Sequence, residues 1–202
     1  MIPYKTYRLG AYMTSEIELR DITVAWFVLS LCFAVMFVGF SFTSLFLEAA
    51  LVSAVTAGIG FLLHELGHKI VAQRYGCFAE FRANYFMLFL AIIMSFFGFL
   101  FAAPGAVMIA GHVDQRKNGI ISVAGPLVNV FLSILFFVFF FIKPTQLFSY
   151  GYSINAWLAL FNMLPLPVFD GVKVLAWNKV VYGMVLVSAA ILVFASFVVL
   201  TP

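Results

Sequence analysis

The chain has 202 residues, of which 65% are hydrophobic and only 9% charged, with 26 Phe and a formal net charge of +3. So few charges cannot coat a soluble globule, which leaves an all-α, polytopic membrane protein embedded in the lipid bilayer. The small positive charge then reports topology rather than a nucleic-acid surface, and Cys32 and Cys77 lack the spacing of a disulfide framework or a thiolate metal site.

In chain order, the first 20 residues are too polar for a signal peptide, so the chain is expected to keep its N-terminus. Ile17 and Leu19 alternate there with Glu16, Glu18 and Arg20, a two-residue period that predicts a strand within a surface segment 1–20. Spans are expected over 22–47 and 49–75, the second ending at Tyr75-Gly76, where glycine suits the position just past a helix. Further spans are expected over 119–142, 151–170 and 180–200. The apolar run 83–103 reads either as an additional span or as a re-entrant segment, so five to six transmembrane helices are expected in a single membrane domain covering 1–202. Residues 104–111 combine strand-like composition with bounding turn residues, which predicts a short membrane-associated β-strand containing Val107 and Ile109.

Within the second span, Phe61-Leu62-Leu63-His64-Glu65-Leu66-Gly67-His68 sets two histidines and a glutamate among apolar residues. Ionisable groups at membrane depth cost about 2.5–3.5 kcal/mol each on insertion scales, so they point to function. His64 and His68 lie on one helix face, one turn apart, and both can reach a single metal ion. Glu65 is about 100° further round the helix, beside a metal but outside its ligand set. Catalytic zinc takes three nitrogen or oxygen ligands and keeps one position open, so a third ligand is needed from elsewhere in the chain.

The basic residues discriminate between the two readings of 83–103. If that run crosses fully, the end of the span carrying Asp170 emerges on the face opposite the histidines. If it re-enters, Asp170 and the histidines share a face. With a cytoplasmic N-terminus, the re-entrant arrangement also puts Lys5, Arg8, Arg20, Lys69, Arg74, Arg82, Arg116, Lys117, Lys173 and Lys179 on the cytoplasmic side, leaving only Lys143 outside. The hairpin is therefore preferred, with its turn expected near residues 95–98.

Two further segments stand out, Ala124-Gly125-Pro126-Leu127-Val128-Asn129 and Asn162-Met163-Leu164-Pro165-Leu166-Pro167-Val168-Phe169-Asp170-Gly171. Together with the His-Glu helix, and in this order, they resemble the three signatures of the site-two protease family of intramembrane zinc metalloproteases. The resemblance covers roughly residues 16–171. Phe169 and Val172 flank the Asp-Gly pair where the family commonly has other residues. The resemblance implies that one catalytic zinc ion is held by His64, His68 and Asp170, that Glu65 is the catalytic base, and that Asn129 and Asn162 lie near the substrate backbone. Residues Val107 and Ile109 would add a strand to a substrate that has left its helix.

The expected function is zinc-dependent cleavage of transmembrane segments of membrane proteins, as regulated intramembrane proteolysis in a multi-pass cell-membrane enzyme. The implied partner is a transmembrane-helix protein substrate, with no nucleic acid. The alternatives are a catalytically silent zinc-binding scaffold of the same fold, and a zinc transporter, which would spread its polar groups along a path. Among single residues, His112 competes as third ligand, Asp170-Gly171 could form a plain surface turn, and buried asparagines often only bridge helices.

Overall fold

The computed structural model describes residues 5–10, 12–100 and 104–200. Among these, seven helices and four strands are present. The chain runs β1 (Thr6–Leu9), β2 (Tyr12–Ser15), α1 (Glu16–Val38), α2 (Ser44–Arg74), β3 (Phe78–Ala83), α3 (Tyr85–Ser95), β4 (Gly105–Ala110), α4 (Gln115–Ile142), α5 (Gln146–Asn162), α6 (Asp170–Trp177) and α7 (Lys179–Leu200). The strands form two antiparallel ribbons, β1–β2 and β3–β4. Helices α1, α2, α4 and α7 are long and apolar enough to cross a membrane. Their outward faces carry large exposed apolar side chains such as Phe131, Phe194 and Phe197, which suit lipid rather than water.

Several boundaries differ from the expectations. Residues 16–20 are helical, and the surface strands lie earlier, at 6–9 and 12–15; residues 1–4 of the surface segment are outside the described residues. The Ser15 hydroxyl caps α1 by accepting from the Glu18 amide at 3.2 Å, and acidic Glu16 and Glu18 suit the positive end of the helix dipole. The i, i+3 pair Glu18 and Asp21 is buried on one face, so the short charge alternation was a helical pattern. The uncharged run 22–47 is not one span. Gly39, at φ +72°, ends α1, and the Thr43 hydroxyl caps the start of α2. The run 151–170 is also broken, because the Pro165 and Pro167 loop follows the end of α5 at Asn162. That helix has 17 residues and is not among the four of membrane-crossing length, so of the expected five to six spans four are present among the described residues by this criterion.

The second ribbon governs the segment 83–103. Ala83 lies opposite Gly105, and the Asn84 amide donates to the Pro104 carbonyl at 2.9 Å. The chain therefore comes back to the point it left. Helix α3 has 11 residues, about 16 Å of rise, against about 30 Å of hydrocarbon. Gly98, at φ +71°, takes part in the turn beyond it; residues 101–103 of this segment lie outside the described residues.

Polar contacts gather the functional ends at one end of the bundle. Lys69, near the end of α2, meets Glu18 of α1 at 2.5 Å, and His68 reaches Ile121 of α4. Helices α4 and α5 are tied by the Ser133 hydroxyl donating to the Tyr152 carbonyl at 3.0 Å. The Tyr152 hydroxyl in turn donates to Leu192 O of α7 at 2.6 Å. Below the site, Val123, Met163, Val174 and Val185 form an apolar cluster joining α4, α6 and α7.

Candidate metal centre

His64 and His68 are buried on the face of α2 that packs against α4. Pro126 has no amide to offer Ser122, which removes one rung of the α4 ladder beside the Ile121 carbonyl. That carbonyl accepts from His68 Nδ1 at 2.8 Å. A carbonyl can only accept, so Nδ1 carries a proton, and in the neutral imidazole His68 Nε2 is the free ligand atom. His64 is fixed in the same way. Its Nδ1 lies 2.6 Å from Asn129 Oδ1, while Asn129 Nδ2 donates to Gly60 O at 3.1 Å and to Asn155 Oδ1 at 3.0 Å. Asn155 Nδ2 donates to Gly151 O at 2.8 Å and closes the chain.

Asp170 opens α6 directly after the proline-containing loop, and its carboxylate turns back toward α2. Asp170 Oδ2 lies 3.1 Å from His68 Nε2 and 3.4 Å from His64 Nε2, and the two Nε2 atoms are 3.0 Å apart. The other oxygen, Oδ1, faces Lys173 Nζ at 3.4 Å. With both imidazoles neutral, three donor atoms crowd together around one point, an arrangement that a cation among them would satisfy. Tetrahedral ligands at about 2.0–2.2 Å from zinc are about 3.3–3.6 Å apart, so these separations fit zinc to within a few tenths of an ångström. Gly125 of α4 completes the cradle. A Cβ there would collide with Nε2 of both histidines.

Glu65 is half-buried next to this triangle, and one of its oxygens lies within 4.8 Å of ligand atoms of both histidines. The Val107 amide, on the outer edge of β4, lies beside its carboxylate. The Val107 and Ile109 side chains turn inward, onto residues such as Phe81, Ala72 and Ile121, so it is their backbone that lines this edge.

Other expected residues fall elsewhere. Asn129 is fully buried with both amide protons and its oxygen engaged, and the partner the structure gives its oxygen is His64. Asn162 bonds back to Leu158 O at 2.9 Å, and the structure does not bring it into the cluster. The competing ligand His112 is exposed in the loop before α4. Sequence reasoning missed Asn155, although an asparagine in the middle of the apolar residues of α5 was a signal. It also missed the need for Gly125 to be small.

Over 184 residues the chain is 40% identical to "Putative zinc metalloprotease MJ0611" of Methanocaldococcus jannaschii, covering 88% of this chain and 93% of that protein. The chain belongs to the site-two protease family of intramembrane zinc metalloproteases. This site-two protease is also 28% identical over 144 residues to "Putative zinc metalloprotease YwhC" of Bacillus subtilis, covering 60% of the chain and 66% of that relative. No family model and no solved structure matches it.

Proposed function

We propose that the protein is a zinc-dependent endopeptidase that hydrolyses a peptide bond within or near the transmembrane helix of another membrane protein. The observation that carries this reading is the convergence of His64 Nε2, His68 Nε2 and Asp170 Oδ2 beside Glu65, on a helix apolar and long enough to cross a membrane. These three atoms would hold one zinc ion, which when bound supplies a Lewis acid that polarises the scissile carbonyl and activates water. Glu65 takes the proton of the attacking water and returns it to the leaving amine nitrogen. Asn129 and the Ile121 carbonyl hold both imidazoles with their Nε2 lone pairs facing Asp170. Lys173 holds the second oxygen of Asp170 away from the triangle.

A peptide bond inside a helix has to lose its helical hydrogen bonds before it can be attacked. The outer edge of β4 offers replacements, because among the described residues β4 has a strand partner on one side only, and the Val107 amide on the other side is already beside Glu65. The substrate is thus read as an unwound segment laid along β4. The return of the chain at Asn84 and Pro104 supports a re-entrant segment, and the basic residues support a cytoplasmic N-terminus with the site near the cytoplasmic face. Cleavage at that depth would release a cytoplasmic fragment, as in regulated intramembrane proteolysis. The test is cleavage of a panel of single-span peptides by purified protein in proteoliposomes, with and without chelator, the cut bonds being mapped by mass spectrometry. Chelator-sensitive cuts in the cytoplasmic third of a span are expected. Full zinc loading with no cut in any peptide would favour the silent scaffold.

A further inference from the structure

The β3–β4 ribbon has two long edges, and they are treated differently. Along the outer edge of β3, side chains from two helices stand where a neighbouring strand would. Gln73 Nε2 of α2 donates to Ala79 O at 3.0 Å, Glu18 Oε1 of α1 accepts from the Phe81 amide at 2.9 Å, and Asp21 Oδ2 of α1 accepts from the Ala83 amide at 3.2 Å. The Phe81 carbonyl is taken by the Arg82 guanidinium at 2.8 Å. The helical i, i+3 spacing of Glu18 and Asp21 is thereby matched to the i, i+2 spacing of two amides on the same side of a strand.

Both carboxylates are themselves held. Glu18 is 0% exposed and receives Lys69 Nζ at 2.5 Å and the Thr14 hydroxyl at 2.7 Å; Asp21 is 3% exposed and receives the Tyr85 hydroxyl at 2.7 Å and Arg20 at 3.2 Å. Lys69 directly follows His68, so Glu18 connects the metal-bearing helix to the ribbon. Packing the two elements together would require only apolar surface. Two buried carboxylates aimed at alternate amides of one strand set its register as well.

We propose that Glu18 and Asp21 are positioning residues for cleavage: by binding the Phe81 and Ala83 amides they close the β3 edge and fix the ribbon so that a strand added to β4 meets Glu65 in a single register. This rests on the reading that the substrate pairs with β4. A ribbon freed from these anchors presents neighbouring bonds to the base. A loss of stability alone lowers the amount of active protein and leaves the cut bond unchanged.

The test uses the full chain in proteoliposomes with the single-span peptide that the wild type cuts best. Rate, cut position and zinc content are measured for Asp21→Ala, Asp21→Asn and Val107→Pro. A misplacement of about 1 Å costs on the order of 100-fold in rate. Asp21→Ala is therefore expected to keep its zinc, to lose about 10- to 100-fold in kcat/KM, and to cut additional bonds, about two residues from the normal one because of the strand period. Asp21→Asn keeps an acceptor for Ala83 and restores the single cut. If Asp21→Ala does not fold, Asp21→Glu replaces it, because the longer side chain displaces the same acceptor and predicts the same spread of products. A wild-type rate and a single cut from whichever variant is used overturn the proposal, as does a spread in Asp21→Asn equal to that of Asp21→Ala. Val107→Pro removes an amide that points away from β3, so the ribbon stays paired while substrate pairing is lost. Normal cleavage by that variant refutes strand addition itself. Loss of cleavage there combined with unchanged behaviour of Asp21→Ala refutes only the positioning role.

Discussion

Replacing Asn129 by alanine tests how the metal helix is held. The change removes the acceptor at 2.6 Å from His64 Nδ1 and the donor to Asn155 Oδ1, in a place with no access to water, since both asparagines are 0% exposed. Leaving a buried polar group without its partner costs about 1–3 kcal/mol. Removing a hydrogen-bond partner of a metal-binding histidine typically lowers metal affinity by about 10- to 100-fold. The two figures agree, because each tenfold corresponds to about 1.4 kcal/mol. Zinc affinity of Asn129→Ala, measured by competition with a chromogenic chelator in detergent, should fall by about 10- to 100-fold. Cleavage should be recovered in part by excess zinc. An affinity within about twofold of wild type would refute the argument that Asn129 orients His64.

Three further outcomes are expected. Gly125→Ala drives a methyl group into both Nε2 atoms, so metal analysis should find much less than one zinc per chain, and full loading would contradict the cradle. Lys69→Ala leaves Glu18 as a buried carboxylate without its cation, which costs about 3–5 kcal/mol and should appear as a clearly lower unfolding midpoint in detergent. A cysteine at exposed Gln115, probed with an impermeant maleimide, should label from the cytoplasmic side; labelling from outside would overturn the re-entrant topology.

The helix carrying His64, Glu65 and His68 was legible because its spacing is local. Two histidines four residues apart on an apolar helix share a face whatever surrounds them. Residues 105–110 were legible as a strand from their composition and bounding turns. Helix breaks were harder to see. The stretch 39–43 carries no charge, and only Gly39 and Thr43 marked the end of one helix and the cap of the next. Residues 16–20 misled because five residues of alternating polarity also fit a helix whose buried face holds acids. Asn129 and Asn155 illustrate a different limit. Polar groups inside an apolar span announce importance, but whether they meet a substrate or a histidine depends on which helices touch, and that is a tertiary fact.

The most direct measurement is made on Glu65→Gln, with zinc content and peptide cleavage determined on the same purified sample. The variant keeps His64, His68 and Asp170, so it should bind zinc as the wild type does while cleaving none of the single-span peptides the wild type cuts. Cleavage at a wild-type rate by the zinc-loaded variant would contradict Glu65 as the base, and with it the proposed mechanism.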